Sequence, residues 1–259
     1  MNNTLIDNSI EALSMTATLR KCLAIDGIKT VSIATGYWDI PGLAILQENL
    51  RSFIEKDGTT LRLLIGKDPY IYANQLKSPK YKDANYPLDF IKTDIHELNV
   101  TEEYKDAIRL LLDYCTENND SKIQIRVFRK NENDETQFLH SKCYIFDGKS
   151  NGIGIGIVGS TNFTQKGLQG NAELNYIETA PNQVLSLDKI PGNKSHLIWF
   201  NEKWEISEPW NKQFLEQILK SAPITDDVEK ERESEQQLFT PYELYIKLLQ
   251  IKFGDIVDK

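Results

Sequence analysis

Residues 138–180 read FLHSKCYIFDGKSNGIGIGIVGSTNFTQKGLQGNAELNYIETA, and the order of residue types in this stretch decides the fold. FLHSKCYIF runs into the turn-rich sextet DGKSNG, and IGIGIVGS returns from it, which predicts a β-hairpin followed by a turn into a short helix and a further strand. His140 and Lys142 are two apart, so on an extended strand they share a face, roughly 7 Å apart by the rise per residue. Ser160 and Asn162 are also two apart, at the exit of the returning strand. Gly159 lets a ligand approach the backbone there, and the unpaired N–H groups of a following helix start favour an anion. A histidine, a fixed cation, an amide and a phosphate-friendly turn converge in this stretch.

Outward from this hairpin, KTVSIATG (29–36) reads as a buried strand, Pro41 to Lys56 as a helix with Leu43, Leu46, Leu50, Phe53 and Ile54 at helical spacing, and LRLLIG (61–66) as a second apolar strand. A β-α-β opening implies a parallel pairing, so the fold class is α/β: a mixed, largely parallel central sheet flanked by helices on both faces. A helix over about 102–117 precedes KIQIRVF (122–128), a strand whose basic face is read as solvated. HLIWFNEKW (196–204) and Trp210 to Ile218 are expected to be helices packing aromatic residues into the core. Residues 67–101, with Pro69, Pro79 and Pro87 among interleaved tyrosines and lysines, read as loop, either a solvated excursion or a surface where rings stack bases and cations hold phosphates.

The chain has 259 residues, 40% hydrophobic and 26% charged, enough to bury a core without a disulfide or metal staple. Cys22, Cys115 and Cys143 show no CxxC spacing, which fits a reducing cytoplasm better than a disulfide framework. No apolar run reaches the length of a membrane span, and MNNTLIDNSI lacks the pattern of an export signal, so a cytoplasmic protein without a membrane partner is expected. Net charge is −8, and half of it lies in residues 226–235, where six acidic residues stand against Lys230 and Arg232. The remainder is mild enough for a basic cleft on an acidic body. Thr240, Pro241 and Glu243 then open an amphipathic helix. Residues 1–222 are thus read as one domain, and 223–259 as an acidic linker and helix leading into a further module.

His140-x-Lys142-x4-Asp147, then Gly159-Ser160-Thr161-Asn162, then Glu173, resembles the HKD signature of the phospholipase D superfamily. The gap from Asp147 to Gly159 is longer than the family's, which a longer hairpin absorbs. More loosely, the opening β-α-β segment is similar to PLD-like nuclease domains found in front of bacterial helicase or restriction modules. The resemblance implies a phosphodiesterase that works without a metal or other cofactor, in which one histidine attacks phosphorus and a second protonates the leaving oxygen and then activates water. The chain holds three histidines, His96, His140 and His196, and only His140 has a lysine two residues on. A two-fold homodimer is therefore expected, each copy supplying one His140 and one Lys142. On this reading Lys142 and Asn162 hold non-bridging phosphoryl oxygens, Ser160 adds a hydrogen bond, Glu173 accepts from a histidine ring, and Asp147 is structural. Tyr37 and Trp38 are read as either core or a wall of the cleft, and Lys166 as a substrate contact.

The substrate expected is nucleic acid, DNA first, with a downstream helicase-like module as partner. Two other readings stand beside it: a non-catalytic module that binds nucleic-acid phosphate and dimerises, and a lipid phosphodiesterase, which lacks a basic amphipathic element. Gly154-x-Gly156-x-x-Gly159 matches a dinucleotide fingerprint, but its glycines alternate with isoleucines inside a strand instead of filling the turn after one. No cysteine and histidine spacing suits zinc.

Overall fold

The computed structural model describes residues 5–66, 102–117, 121–128, 139–188 and 194–217. The tyrosine- and lysine-rich segment 67–101, His96, and the linker and helix expected over 223–259 lie outside the described residues.

Eight strands form one sheet: β1 (Leu5–Asp7), β2 (Thr30–Thr35), β3 (Thr60–Gly66), β4 (Ile123–Phe128), β5 (Cys143–Gly148), β6 (Ile153–Gly159), β7 (Leu174–Glu178) and β8 (Glu208–Pro209). Their order across the sheet is β1-β7-β6-β5-β2-β3-β4-β8. The mixed α/β architecture matches the expectation, but its parallel character does not. Among the strands of the described residues, only β2–β3 and β3–β4 pair in parallel, and the other strand pairs are antiparallel. The cause is the hairpin: β5 and β6 are joined by the short turn around Lys149–Asn151, far too short for the crossover that a parallel pair needs. Strand β5 enters beside β2 in the opposite direction, with Ala34 across from Cys143 and Thr30 across from Asp147.

Alternation along the strands builds two cores. Val31, Ile33, Leu61, Leu63, Ile125, Tyr144 and Phe146 face one side. That side is covered by α1 (Met15–Leu23), α2 (Ile40–Ile45), α3 (Gln47–Ile54) and α4 (Glu102–Tyr114). Ala34, Leu64, Cys143 and Ile145 face the other. There α5 (Pro181–Leu185) and α6 (His196–Glu205) lay down Val184, Leu185, Leu197, Phe200 and Trp204. A last helix, α7 (Asn211–Gln217), adds Phe214 to the first core. Side-chain caps start several of these helices. Ser14 accepts from the Ala17 N–H at 3.2 Å, Asp39 from Gly42 at 2.6 Å and Ser195 from Ile198 at 3.1 Å.

Two local expectations need correction. The single helix over 41–56 is two, because Leu46 leaves helical angles (φ −115°, ψ 5°) to bury its side chain, and its N–H closes a tight turn on the Leu43 carbonyl at 3.0 Å. The basic face of β4 is not merely solvated. Arg126 lies 5.0 Å from the centre of the Trp204 ring and donates to the Trp204 carbonyl at 2.7 Å, while Arg62 of β3 lies over Phe200 and Trp204. Burial lowers the Arg62 pKa to about 10, with the charges of Asp147 and Glu205 opposing it.

Candidate active site

Antiparallel pairing of β5 with both β2 and β6, and of β6 with β7, puts four strand ends together at one edge of the sheet. The chain leaves β2 through Gly36 and Tyr37, enters β5 through His140 and Lys142, leaves β6 through Ser160, Thr161 and Asn162, and enters β7 through Glu173. The residues that the sequence singled out are therefore gathered by topology. His140 and Lys142 precede the regular ladder, which starts at Cys143, instead of lying within it. Asp147 sits five residues beyond Lys142, roughly 17 Å along an extended strand, so it belongs to the opposite edge.

His140 is exposed, and its ring stands edge-on to that of Tyr37, with centroids 6.5 Å apart and an interplanar angle of 82°. Gly36 forms the floor: a Cβ there would lie 3.3 Å from His140 Cδ2 and 3.4 Å from Asn162 Oδ1. Lys142 is buried, 7% exposed, and its Nζ donates to the His140 carbonyl at 2.7 Å. Burial pushes its pKa below the ordinary lysine value, and the charge of Glu173 opposes the shift. Asn162 Oδ1 accepts the Tyr37 backbone N–H at 3.2 Å, which leaves the NH2 end of this amide as the one able to donate to an oxyanion.

The Ser160 hydroxyl donates to the Glu173 carboxylate, Asn171 Nδ2 donates to the same group at 3.1 Å, and the Leu174 N–H donates to Ser160 Oγ at 3.1 Å. Within one chain, then, the carboxylate that the resemblance assigns to a histidine ring is anchored on Ser160 and Asn171.

Trp38 is not a cleft wall. It is 2% exposed and packs on Phe214 at 5.7 Å, because it points to the opposite side of the chain from Tyr37. Lys166 stands exposed at the start of a single π-helical turn, Lys166–Gly170; burial raises the pKa of Asp39, and the Lys166 charge is among the smaller effects that oppose the rise. The anion site expected from free N–H groups after β6 is also revised. The N–H groups of Ser160, Thr161, Phe163 and Gln165 donate to the Leu174 carbonyl, Asn175 Oδ1, Thr35 Oγ1 and Asp39 Oδ1, respectively. These four N–H groups are therefore already spent within the chain.

Three residues that the sequence reading passed over hold the edge together. Thr35, fully buried at the end of β2, donates to the Tyr37 carbonyl at 2.6 Å and accepts from the Phe163 N–H at 3.0 Å. Tyr144 and Asn175 grip Thr161 between the two site residues. Asparagine inside a strand is disfavoured, and that was the available signal for Asn175. Cys143, beside the motif, faces the core with its thiol pKa pushed by burial to about 12, so it is no nucleophile. Among the described residues no three His, Cys, Asp or Glu side chains gather as a metal-binding group, and no helix is long and apolar enough to cross a membrane.

Comparison with curated proteins gives no match. Among solved structures the chain is similar to a phospholipase D family member, Nuc from Salmonella typhimurium, with 14% identity over 79% of this chain and 95% of that one and a TM-score of 0.43. It is also similar to NucT from Helicobacter pylori, with 11% identity over 80% and 97% of the two chains and a TM-score of 0.39. A third likeness is to polyphosphate kinase from Porphyromonas gingivalis, with 8% identity over 72% and 20% and a TM-score of 0.35. The family described as "Cardiolipin synthase, PLD-like domain" matches residues 25–190, more than half of the sequence and all of the site-bearing edge from Gly36 to Glu173. The chain belongs to this phospholipase D-like family.

Proposed function

We propose that the protein is a phosphodiesterase that cleaves nucleic acid, with DNA as the substrate, at a site shared between two copies of the chain. The observation that carries the reading is the convergence of His140, Lys142, Ser160, Asn162 and Glu173 on one sheet edge through four separate strand ends. A ring nitrogen of His140 attacks phosphorus while the P–O bond to the leaving group breaks, and His140 of the partner subunit gives that oxygen its proton. The same partner histidine then takes a proton from water, whose oxygen displaces the first histidine as the P–N bond breaks. Lys142 and the Asn162 NH2 bind the non-bridging oxygens, whose charge grows in each transition state. Tyr37 walls the histidine, and Lys166 is a more distant substrate contact. The count of histidines supports the two-fold dimer, since only His140 stands in the motif.

Cleavage of single- and double-stranded DNA in excess EDTA tests this, comparing wild type with His140→Ala. The expected result is EDTA-resistant cutting that disappears in the variant while the dimer persists. A wild type that is monomeric, or cutting that survives in His140→Ala, overturns the reading.

A further inference from the structure

Between Ser160 and Asn162 lies Thr161, which is fully buried and whose polar groups are taken up by two side chains from neighbouring strands. Its N–H donates to Asn175 Oδ1 at 3.2 Å, its hydroxyl oxygen accepts from Asn175 Nδ2 at 2.8 Å, and its carbonyl accepts from the Tyr144 hydroxyl at 2.9 Å. Asn175 is itself 2% exposed and lies across Gly159, its register partner in β6. The fit is tight, since a Cβ on Gly159 would overlap both Asn175 Oδ1 and the Leu174 carbonyl. A single amide thus satisfies both an N–H and a hydroxyl of the residue whose neighbours on either side carry the polar chemistry of the edge.

An apolar residue would fill the space but leave the buried Thr161 N–H and hydroxyl without this partner, which is a cost in stability of its own. What the amide adds is direction. Its two ends, one accepting and one donating, fix the Thr161 peptide in one rotation about the chain, and that rotation sets where Ser160 Oγ and the Asn162 amide point. Catalytic hydrogen bonds aimed at a developing oxyanion lose most of their value when displaced by about 1 Å.

We infer that Asn175 is a positioning residue of the active site, acting through Thr161 to aim Ser160 and Asn162 at the phosphoryl group. The inference rests on the phosphodiesterase reading above. Asn175 touches neither substrate nor reacting atoms, so its effect falls on turnover more than on binding.

The test uses the full chain and bis(p-nitrophenyl) phosphate in excess EDTA, with thermal unfolding measured on the same samples. Asn175→Val is expected to lower kcat about a hundredfold, the size of effect that a displacement of about 1 Å produces, with KM changed less than about threefold and unfolding still cooperative. Asn175→Asp, whose two oxygens can accept from both the N–H and the hydroxyl of Thr161, is expected to recover at least about tenfold of that loss. A folded Asn175→Val with kcat within about twofold of wild type overturns the inference, as does a loss of activity that only follows the unfolded fraction. Should Asn175→Val fail to fold, Thr161→Val is read instead: a fall of about tenfold in kcat supports the inference and an unchanged kcat overturns it. Binding of tungstate, a phosphate-shaped oxyanion, followed by calorimetry beside the cutting assay, separates this inference from the reading it rests on. A wild type that binds tungstate but cuts nothing removes the catalytic reading and this inference with it, whereas a wild type that cuts, beside a folded Asn175→Val that cuts equally well, removes the inference alone. A wild type that neither cuts nor binds removes both.

Discussion

The side-chain oxygen of Asn162 accepts the backbone N–H of Tyr37 at 3.2 Å, joining the exit of β6 to the exit of β2 across the intervening strand β5. The bond fixes which end of the amide faces outward, so this residue serves as both a brace and a donor. Asn162→Asp separates the two tasks. It keeps an oxygen for Tyr37 and replaces the NH2 with a second acceptor bearing negative charge. The expected outcome is a loss of about 10²-fold or more in kcat, the scale of removing one oxyanion donor, with a thermal midpoint near that of wild type. Asn162→Leu removes both functions and is expected to lose stability as well, so comparing melting curves of the two variants checks the assignment.

Lys142 gives a pH signature with two opposite signs. Its pKa is lowered from the ordinary 10.5 by burial, so the unfolded chain binds more protons than the folded one between the lowered value and 10.5. The stability contribution of this group therefore rises with pH across that window and is smallest below it. Lys142→Met is expected to be at least as stable as wild type at pH 7, with the difference shrinking as pH approaches 10.5. Turnover runs the other way, because only the protonated amine holds phosphoryl oxygens. The alkaline limb of kcat should lie below the ordinary lysine range and move to higher pH in Lys142→Arg, whose charge persists. A limb at the same pH in both proteins would assign it to another group.

Glycine at 66 is a steric requirement. A Cβ there would overlap the Leu139 carbonyl oxygen, the backbone that carries the chain into His140. Gly66→Ala is expected to cost about 1–3 kcal/mol in urea unfolding, as overpacking against backbone does. At Gly36 the nearest atoms would be 3.3 Å away and one of them belongs to the histidine ring, so Gly36→Ala should disturb turnover more than stability. The comparison control is Gly170→Ala, which meets nothing closer than 4.0 Å.

The strands and the hairpin were legible because they are written in local alternation, and the meeting of His140, Lys142, Ser160, Asn162 and Glu173 at one edge because their spacing resembles a known signature. Strand direction was less so. Nothing local in KTVSIATG says that its neighbour on one side is LRLLIG, parallel, and on the other CYIFDG, antiparallel. Trp38 stayed open between core and cleft wall for a similar reason, and the structure places it in the core, since adjacency to Tyr37 in sequence means opposite faces in an extended chain. Thr35, Tyr144 and Asn175 were invisible as site residues. Thr35 and Tyr144 are ordinary strand residues by type and Asn175 stands out only as an asparagine in a strand, while the importance of each arises from a hydrogen bond to a loop at least 14 residues away.

The connection between β5 and β6 lies at the end of the hairpin opposite His140 and Lys142, and Gly152 there takes a positive φ of 67° with open space around it. Six ladder pairs, from Gly148–Ile153 to Cys143–Val158, separate that tip from the chemistry. This turn is thus an attachment point: a fluorophore, an affinity tag or a small inserted domain placed at Asn151–Gly152 would be held by the same two strands that lead to Lys142 and Ser160, yet at arm's length from those residues.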